Sequence, residues 1–103
     1  MKTLLQIDFP FPGPFGEGMT DAMKDLAISI AEEPGLIWKI WTENPETSEA
    51  GGIYLFHDDA SARAYLEKHR ARLEAFGITE VNAKLFRVNE ALTAIDDGPV
   101  GPA

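Results

Sequence analysis

The stretch Pro34–Phe56, PGLIWKIWTENPETSEAGGIYLF, decides the fold. It contains two runs of branched and aromatic residues, Leu36–Trp41 and Ile53–Phe56, separated by a polar segment with a proline. Two such runs around a short polar break predict a β-hairpin. Neither run alternates apolar with polar residues, as a strand with one solvent face would. The stretch therefore predicts a sheet that needs cover on both faces.

The segments around this hairpin predict the remaining elements. Apolar residues alternate near both ends of the chain and recur at helical spacing in two internal segments. In chain order these are a strand over 3–11, a helix from Thr20 or Asp21 to about Glu33, a helix from residues 58–61 to Phe76, and a strand over 80–89. With the hairpin, the order is β-α-β-β-α-β. This order predicts an α+β, ferredoxin-like domain with an antiparallel sheet and two helices on one face.

The length of 103 residues predicts a single domain. A short helical turn after the last strand ends this domain, which we expect to span residues 1–95. Residues 96–103, DDGPVGPA, are rich in glycine and proline and predict a flexible C-terminal tail. Because two helices cover only one apolar face of the sheet, the other face is buried most simply against a second copy, which predicts a homodimer.

The net charge and composition limit the classes of molecule that the protein is expected to bind. The net charge is −8, from 17 acidic and 9 basic residues, which argues against binding nucleic acid or an anionic membrane surface. The sequence contains no cysteine, so disulfides and thiolate chemistry are excluded. No run approaches the roughly 18 apolar residues of a membrane span, and no signal-peptide pattern is present. These features predict a cytoplasmic protein with a small, neutral or weakly polar partner.

Two histidines are the main candidates for acid–base chemistry. His57 follows the third strand and is expected in a solvated turn. His69 lies between Leu66 and Leu73 at helical spacing, so its side chain is expected to point inward. It is either a core histidine with one hydrogen bond or a proton acceptor. Tyr65, one turn earlier, can approach His69.

Other candidate groups have less specific signals. Trp38 and Trp41 are three residues apart on a strand and so face opposite sides of the sheet; one can wall a pocket while the other packs at the dimer interface. Gly51 and Gly52 indicate a bulge or a close approach to the backbone. Two histidines on separate elements match no metal-ligand spacing, so no metal site is expected. The charges of residues 67–74, including Arg72, are expected on a solvated helix face.

Four segments resemble the YdhR family of monooxygenases, which belongs to the dimeric α+β barrel superfamily. They are GPFG at 13–16, EPGLIWKIWTE at 33–43, EAGGIYLF at 49–56 and AYLEKH at 64–69. The resemblance extends from the first strand to about Ile95. It implies a homodimer whose sheets form a barrel, with a pocket between sheet and helices in each subunit. It also implies oxidation of aromatic substrates with molecular oxygen.

The resemblance also implies roles for individual residues. Some superfamily members use neither flavin nor metal, so no cofactor is expected, although haem or flavin stays open. Cofactor-free oxygenation needs a phenol or quinol whose anion reduces dioxygen, and a dry pocket that orients it. His69 is then the proton acceptor and Tyr65 an orienting hydrogen-bond partner. The expected pocket walls are Trp38 or Trp41, Tyr54, Phe56 and Phe15.

Three alternatives compete with this hypothesis. The same dimeric scaffold also serves as a non-catalytic module that senses small aromatic effectors. It also carries isomerases of small lactones. Haem-degrading relatives pair a helix histidine with a tryptophan, so His69 could instead ligate haem iron.

Overall fold

The computed structural model describes residues 1–101 and confirms the α+β, ferredoxin-like class. The elements are β1 (Thr3–Pro10), α1 (Glu17–Ala31), β2 (Leu36–Asn44), β3 (Glu49–Phe56), α2 (Asp59–Ala75), β4 (Asn82–Arg87) and α3 (Glu90–Ile95). The four strands form one antiparallel sheet in the order β2-β3-β1-β4. Within residues 1–101, no helix has the length and apolar character needed to cross a membrane.

Strand β1 lies at the centre of the sheet and supplies much of the core. Its alternate residues Leu5, Ile7 and Phe9 are buried beneath the helices. Leu5 pairs with Tyr54 on β3 on one side and with Leu85 on β4 on the other. Because side chains alternate across a strand, this register places Tyr54 on the helix-covered face.

Helix α2 lies against this face through one stripe of side chains. Asp58 precedes the helix, and its carboxylate accepts a hydrogen bond from the Ser61 backbone N–H, as a helix N-cap does. Four side chains on the helix are buried, namely Ala62, Tyr65, His69 and Leu73. The predicted inward direction of His69 is therefore confirmed, and His57 is exposed as expected.

Helix α1 begins earlier than the sequence predicts. Thr20 and Asp21 are the predicted caps, but the first residue of the helix is Glu17 and Gly16 occupies the N-cap position. Gly16 adopts a positive φ of 62°, which a glycine tolerates at no steric cost. Thr20 lies inside the helix, where its backbone N–H donates to the Gly16 carbonyl oxygen. The predicted side-chain cap at Thr20 or Asp21 is therefore wrong, because the N-cap position is held by a glycine.

The C-terminal segment contacts the sheet on the face that α1 and α2 leave open. Trp38 pairs with Leu55 on that face, and its indole Nε1–H donates to the Pro99 carbonyl oxygen over 2.8 Å. Val100 is buried. Part of the predicted tail therefore packs on the domain, whereas Pro102 and Ala103 lie outside the described residues. The flexibility predicted for 96–103 stays a prediction.

Candidate functional site

A cavity of about 760 Å³ lies between the sheet and the helices. Three strands and two helices contribute lining residues, namely β1, β2, β3, α1 and α2, together with the segments 11–14 and 76–80. Most of the lining is aromatic or aliphatic, as in small-molecule sites generally. Its polar groups come from seven side chains: Lys39, Thr42, Tyr54, His69, Arg72, Thr79 and Glu80.

Three of the predicted site residues border this cavity, namely Trp41, Tyr54 and His69. The sheet register confirms that the two tryptophans face opposite sides, since Trp41 pairs with Gly52 and Trp38 with Leu55. Trp41 is the one on the cavity side. Trp38 lies on the other face, against the C-terminal segment, so the structure does not bring it to the cavity.

The remaining predicted residues lie behind the cavity wall. Phe56 is fully buried, with its ring stacked 6.2 Å from that of Tyr54. Tyr65 is buried between the sheet and α2, with its ring 5.0 Å from that of Tyr54. Phe15 contacts Phe11, a lining residue, edge to face at 5.9 Å. These three side chains support lining residues and do not themselves line the cavity.

His69 is held as a neutral imidazole. Its side chain is 4% exposed and stacks on the Tyr65 ring at 5.1 Å. Burial first, and then the positive charges of Lys39 and Arg72, lower the pKa of His69 to about 3. The Arg72 Nε–H donates to His69 Nδ1 over 3.3 Å. Because Nδ1 accepts this bond, the single imidazole proton lies on Nε2, which makes His69 a hydrogen-bond donor through that atom.

Tyr54 and Tyr65 form a buried hydroxyl pair next to His69. The Tyr65 hydroxyl donates to the Tyr54 hydroxyl oxygen over 3.2 Å. Burial raises the pKa of Tyr54 to about 12 and raises the pKa of Tyr65 further, so both phenols stay protonated at neutral pH. Since Tyr65 supplies the proton of this bond, the Tyr54 hydroxyl keeps its own proton for another acceptor in the cavity.

Lys39 is a site residue that the sequence reasoning missed. Its ammonium nitrogen lies 3.3 Å from the centre of the Trp41 ring and 4.7 Å from that of Tyr54. Both distances are within the range of cation–π contacts. Burial, and then the charge of Arg72, lower the pKa of Lys39 to about 7. The signal was a single lysine inside a run that is otherwise apolar on both faces of its strand.

Arg72 was expected on a solvated face of α2, but its side chain borders the cavity. It follows His69 by three residues, which places both on the same side of the helix. Its guanidinium bonds His69 and borders the cavity. Its Nη2 atom is buried and has no hydrogen-bond partner among residues 1–101. Buried guanidinium groups are normally paired, so this atom is available to a ligand.

Metal-ligating side chains do not cluster in the part of the chain that the structure describes. Among residues 1–101, no three His, Asp or Glu side chains come together as metal ligands do. The expectation that the protein works without a cofactor stays a prediction.

Two solved structures share the fold of this chain. SnoaB from Streptomyces nogalater, described as a cofactor-independent oxygenase and solved as a point mutant, superposes with a TM-score of 0.61 at 17% identity, over 85% of this chain and 93% of SnoaB. The NE2512 protein of unknown function from Nitrosomonas europaea gives a TM-score of 0.57 at 19% identity, over 85% and 89% of the two chains. At these identities the likeness shows the fold alone.

The sequence itself gives the family. A family model described as "Putative mono-oxygenase ydhR" matches residues 4–99, nearly the whole chain. The chain therefore belongs to this family of monooxygenases, which confirms the resemblance found in the four segments. No functionally curated protein matches it in sequence.

Proposed function

We propose that this protein is a cofactor-independent monooxygenase that oxidises a small phenol or quinol in the cavity under its helices. Its family is one of monooxygenases, and SnoaB, which shares the fold, is described as a cofactor-independent oxygenase. The observation that carries the proposal is the cavity itself. It is large enough for a small aromatic molecule, lined by several aromatic side chains, and supplied with hydrogen-bond donors.

The proposed reaction draws its electrons from the substrate. A phenol that has lost its proton transfers one electron to dioxygen, and the resulting radical pair combines to a hydroperoxide at ring carbon. Loss of water then leaves a quinone. One oxygen atom of dioxygen enters the product and the other leaves as water, so atoms and electrons balance without a further reductant. The protein contributes orientation, a site that excludes water, and proton transfer.

The geometry changes the role that we propose for His69. As a neutral imidazole with its proton on Nε2, it is a hydrogen-bond donor to an oxygen atom of the substrate. Tyr54 is a second donor, and Trp41 forms the apolar wall beside them. Tyr65 does not border the cavity, so we propose that it acts as a positioning residue through Tyr54 and His69.

The tautomer with its proton on Nε2 also affects whether His69 could ligate haem iron. Iron binds a ring nitrogen through its lone pair. In His69 the Nδ1 lone pair accepts the Arg72 hydrogen bond, and Nε2 carries the proton. The side chain as placed does not fit a haem ligand.

We further propose that the protein works as a cytoplasmic homodimer that pairs the open faces of two sheets into a barrel. The motivation is the apolar surface on that face, where Ile40 and Phe86 are 51% and 46% exposed. Sedimentation at micromolar concentration tests the dimer. A species with the mass of one chain would contradict it.

Oxygen consumption tests the proposed function. The wild-type protein is incubated with a panel of naphthols, anthrols and quinols, with His69→Ala beside it. We expect oxygen uptake with at least one compound, and a rate about tenfold lower in the variant, the effect of one lost hydrogen bond to the reacting molecule. Equal rates would remove His69 from the mechanism.

The same assay separates the competing functions. A compound that binds tightly but is recovered unchanged after aerobic incubation would indicate an effector-binding module. Turnover of a lactone that proceeds equally well without oxygen would indicate an isomerase. Either result, in the absence of oxygen uptake across the panel, would contradict the proposed monooxygenase.

A further inference from the structure

Two cationic side chains from different elements reach the same cavity. Lys39 projects from β2 and Arg72 from α2, and both side chains border the cavity. The salt bridges found within residues 1–101 are Lys2–Glu90, Arg63–Asp59 and Lys68–Glu33, so neither cation has a carboxylate partner there. Burying positive charge without a counter-charge is costly. The chain has 17 acidic residues, yet none of them forms a salt bridge with Lys39 or Arg72 within residues 1–101.

The chain holds Lys39 inward through a specific contact. The side chain folds across Gly52 on the neighbouring strand, and a methyl group at that position would lie 2.6 Å from Lys39 Cε. The absence of a side chain at Gly52 therefore makes room for the lysine between the Trp41 and Tyr54 rings. The sequence predicts a close approach to the backbone at this glycine, and the approaching group is the lysine.

Arg72 is fixed from the other side. Its Nε–H is bonded to His69, which itself is stacked on Tyr65, and this leaves the buried Nη2 without a partner within residues 1–101. An unsatisfied buried donor costs about 1–3 kcal/mol, and more when it is charged. A ligand oxygen carrying negative charge would satisfy it and would also neutralise the pair of cations.

We propose that Lys39 and Arg72 form an oxyanion subsite that binds the substrate's phenolic oxygen as the phenolate. In this step the phenol O–H bond breaks and an N–H bond forms at Lys39 Nζ, which turns a neutral amine and a neutral phenol into an ammonium–phenolate pair. Lys39 is then the proton acceptor, and Arg72 stabilises the anion. The later transfer of an electron from the phenolate to dioxygen rests on the proposed function. Binding of the phenolate by Lys39 and Arg72 does not.

The groups around Lys39 are consistent with this exchange. Tyr54 faces it from β3, and His69 and Arg72 face it from α2; the α1 residues that line the cavity are apolar. Glu80, the acidic residue of the lining, is exposed. With a pKa of about 7, the amine is partly neutral at pH 7 and can accept a proton. After it accepts the proton, the Lys39 ammonium forms an ion pair with the phenolate.

The test uses 4-nitrophenol, whose phenolate absorbs at longer wavelength than the phenol. The nitro group withdraws electrons, so the probe is not oxidised by dioxygen and its ionisation is read separately from turnover. We expect the wild-type protein to lower the apparent pKa of the bound probe by at least about one unit, a tenfold gain in acidity. Lys39→Met should abolish this shift, Arg72→Gln should reduce it, and Arg72→Lys should keep most of it.

Matched controls are exposed basic residues on the two helices that cover the sheet. Lys24→Met and Arg70→Gln each remove one positive charge outside the cavity and should leave the shift unchanged. If the wild-type protein does not bind the probe, or binds it as the neutral phenol, the subsite is wrong whatever the variants do. If the probe ionises but no phenol or quinol supports oxygen uptake, the subsite stands and the proposed function falls.

Discussion

Lys39→Met is expected to lower kcat/KM for oxygen uptake by about 100-fold, the lower range for loss of a general base. Methionine has a similar length and is apolar, so it can occupy the space above Gly52 and against Trp41 without a large void. The variant keeps the aromatic cavity but cannot accept the phenol proton. Binding of a neutral aromatic such as naphthalene should therefore be retained while turnover is lost.

The pH dependence distinguishes a base from a merely structural lysine. Only the neutral amine accepts a proton, so kcat/KM of the wild-type protein should rise as pH increases through about 7, the pKa of Lys39. In Lys39→Met this rise should be absent, and only ionisation of the substrate itself should remain. Lys24→Met serves as the control and should follow the wild-type profile. A methionine variant with the wild-type inflection would contradict the role of Lys39.

Gly51→Ala is expected to destabilise the domain by about 3 kcal/mol, at the upper end of overpacking effects. Gly51 pairs with Asp8 on the central strand, and an added methyl group would overlap the backbone carbonyl oxygen of Ile7. Backbone atoms of a paired strand cannot move aside without breaking the β1–β3 ladder. This cost outweighs the gain of roughly 0.4–1 kcal/mol that alanine brings by restricting the unfolded chain.

The adjacent Gly52→Ala is the matched comparison. There the added methyl group meets the flexible end of Lys39 and, at 3.1 Å, the edge of the Tyr54 ring. We expect a smaller loss of stability than in Gly51→Ala, because the Lys39 side chain can move away from the added methyl group. Oxygen uptake should nevertheless fall clearly, because a displaced Lys39 no longer accepts the proton of the substrate. Thermal unfolding followed by circular dichroism measures the stability of both variants. A Gly51→Ala protein as stable as the wild type would show that the strands are spaced more widely than the structure has them.

The fold could be predicted because the decisive signals are local. The hairpin of residues 34–56 was visible as two strands that are apolar on both faces, and the interior stripe of α2 followed from helical spacing. The start of α1 was missed because Thr20 is a common capping residue, whereas the actual N-cap, Gly16, is chosen for a backbone conformation that side-chain chemistry does not reveal.

The site was only partly predictable, since a cavity is defined by long-range packing. His69 and Tyr54 could be found as polar side chains on buried faces, and Trp41 as a large aromatic residue in the hairpin. Lys39 and Arg72 were missed because lysine and arginine are usually solvated, and only the sheet register and the position of α2 show that their charges meet inside. The choice between Trp38 and Trp41 likewise depended on which face the helices cover.

Labelled oxygen tests the central claim most directly. The purified protein, treated with a chelator and free of flavin absorbance, is incubated under oxygen-18 gas with the compound that gives the fastest uptake, and the product is analysed by mass spectrometry. We expect one labelled atom in the product and one in water, with little label incorporated when Lys39→Met replaces the wild type over the same time. A product without label, or a reaction that proceeds equally under nitrogen, would contradict it.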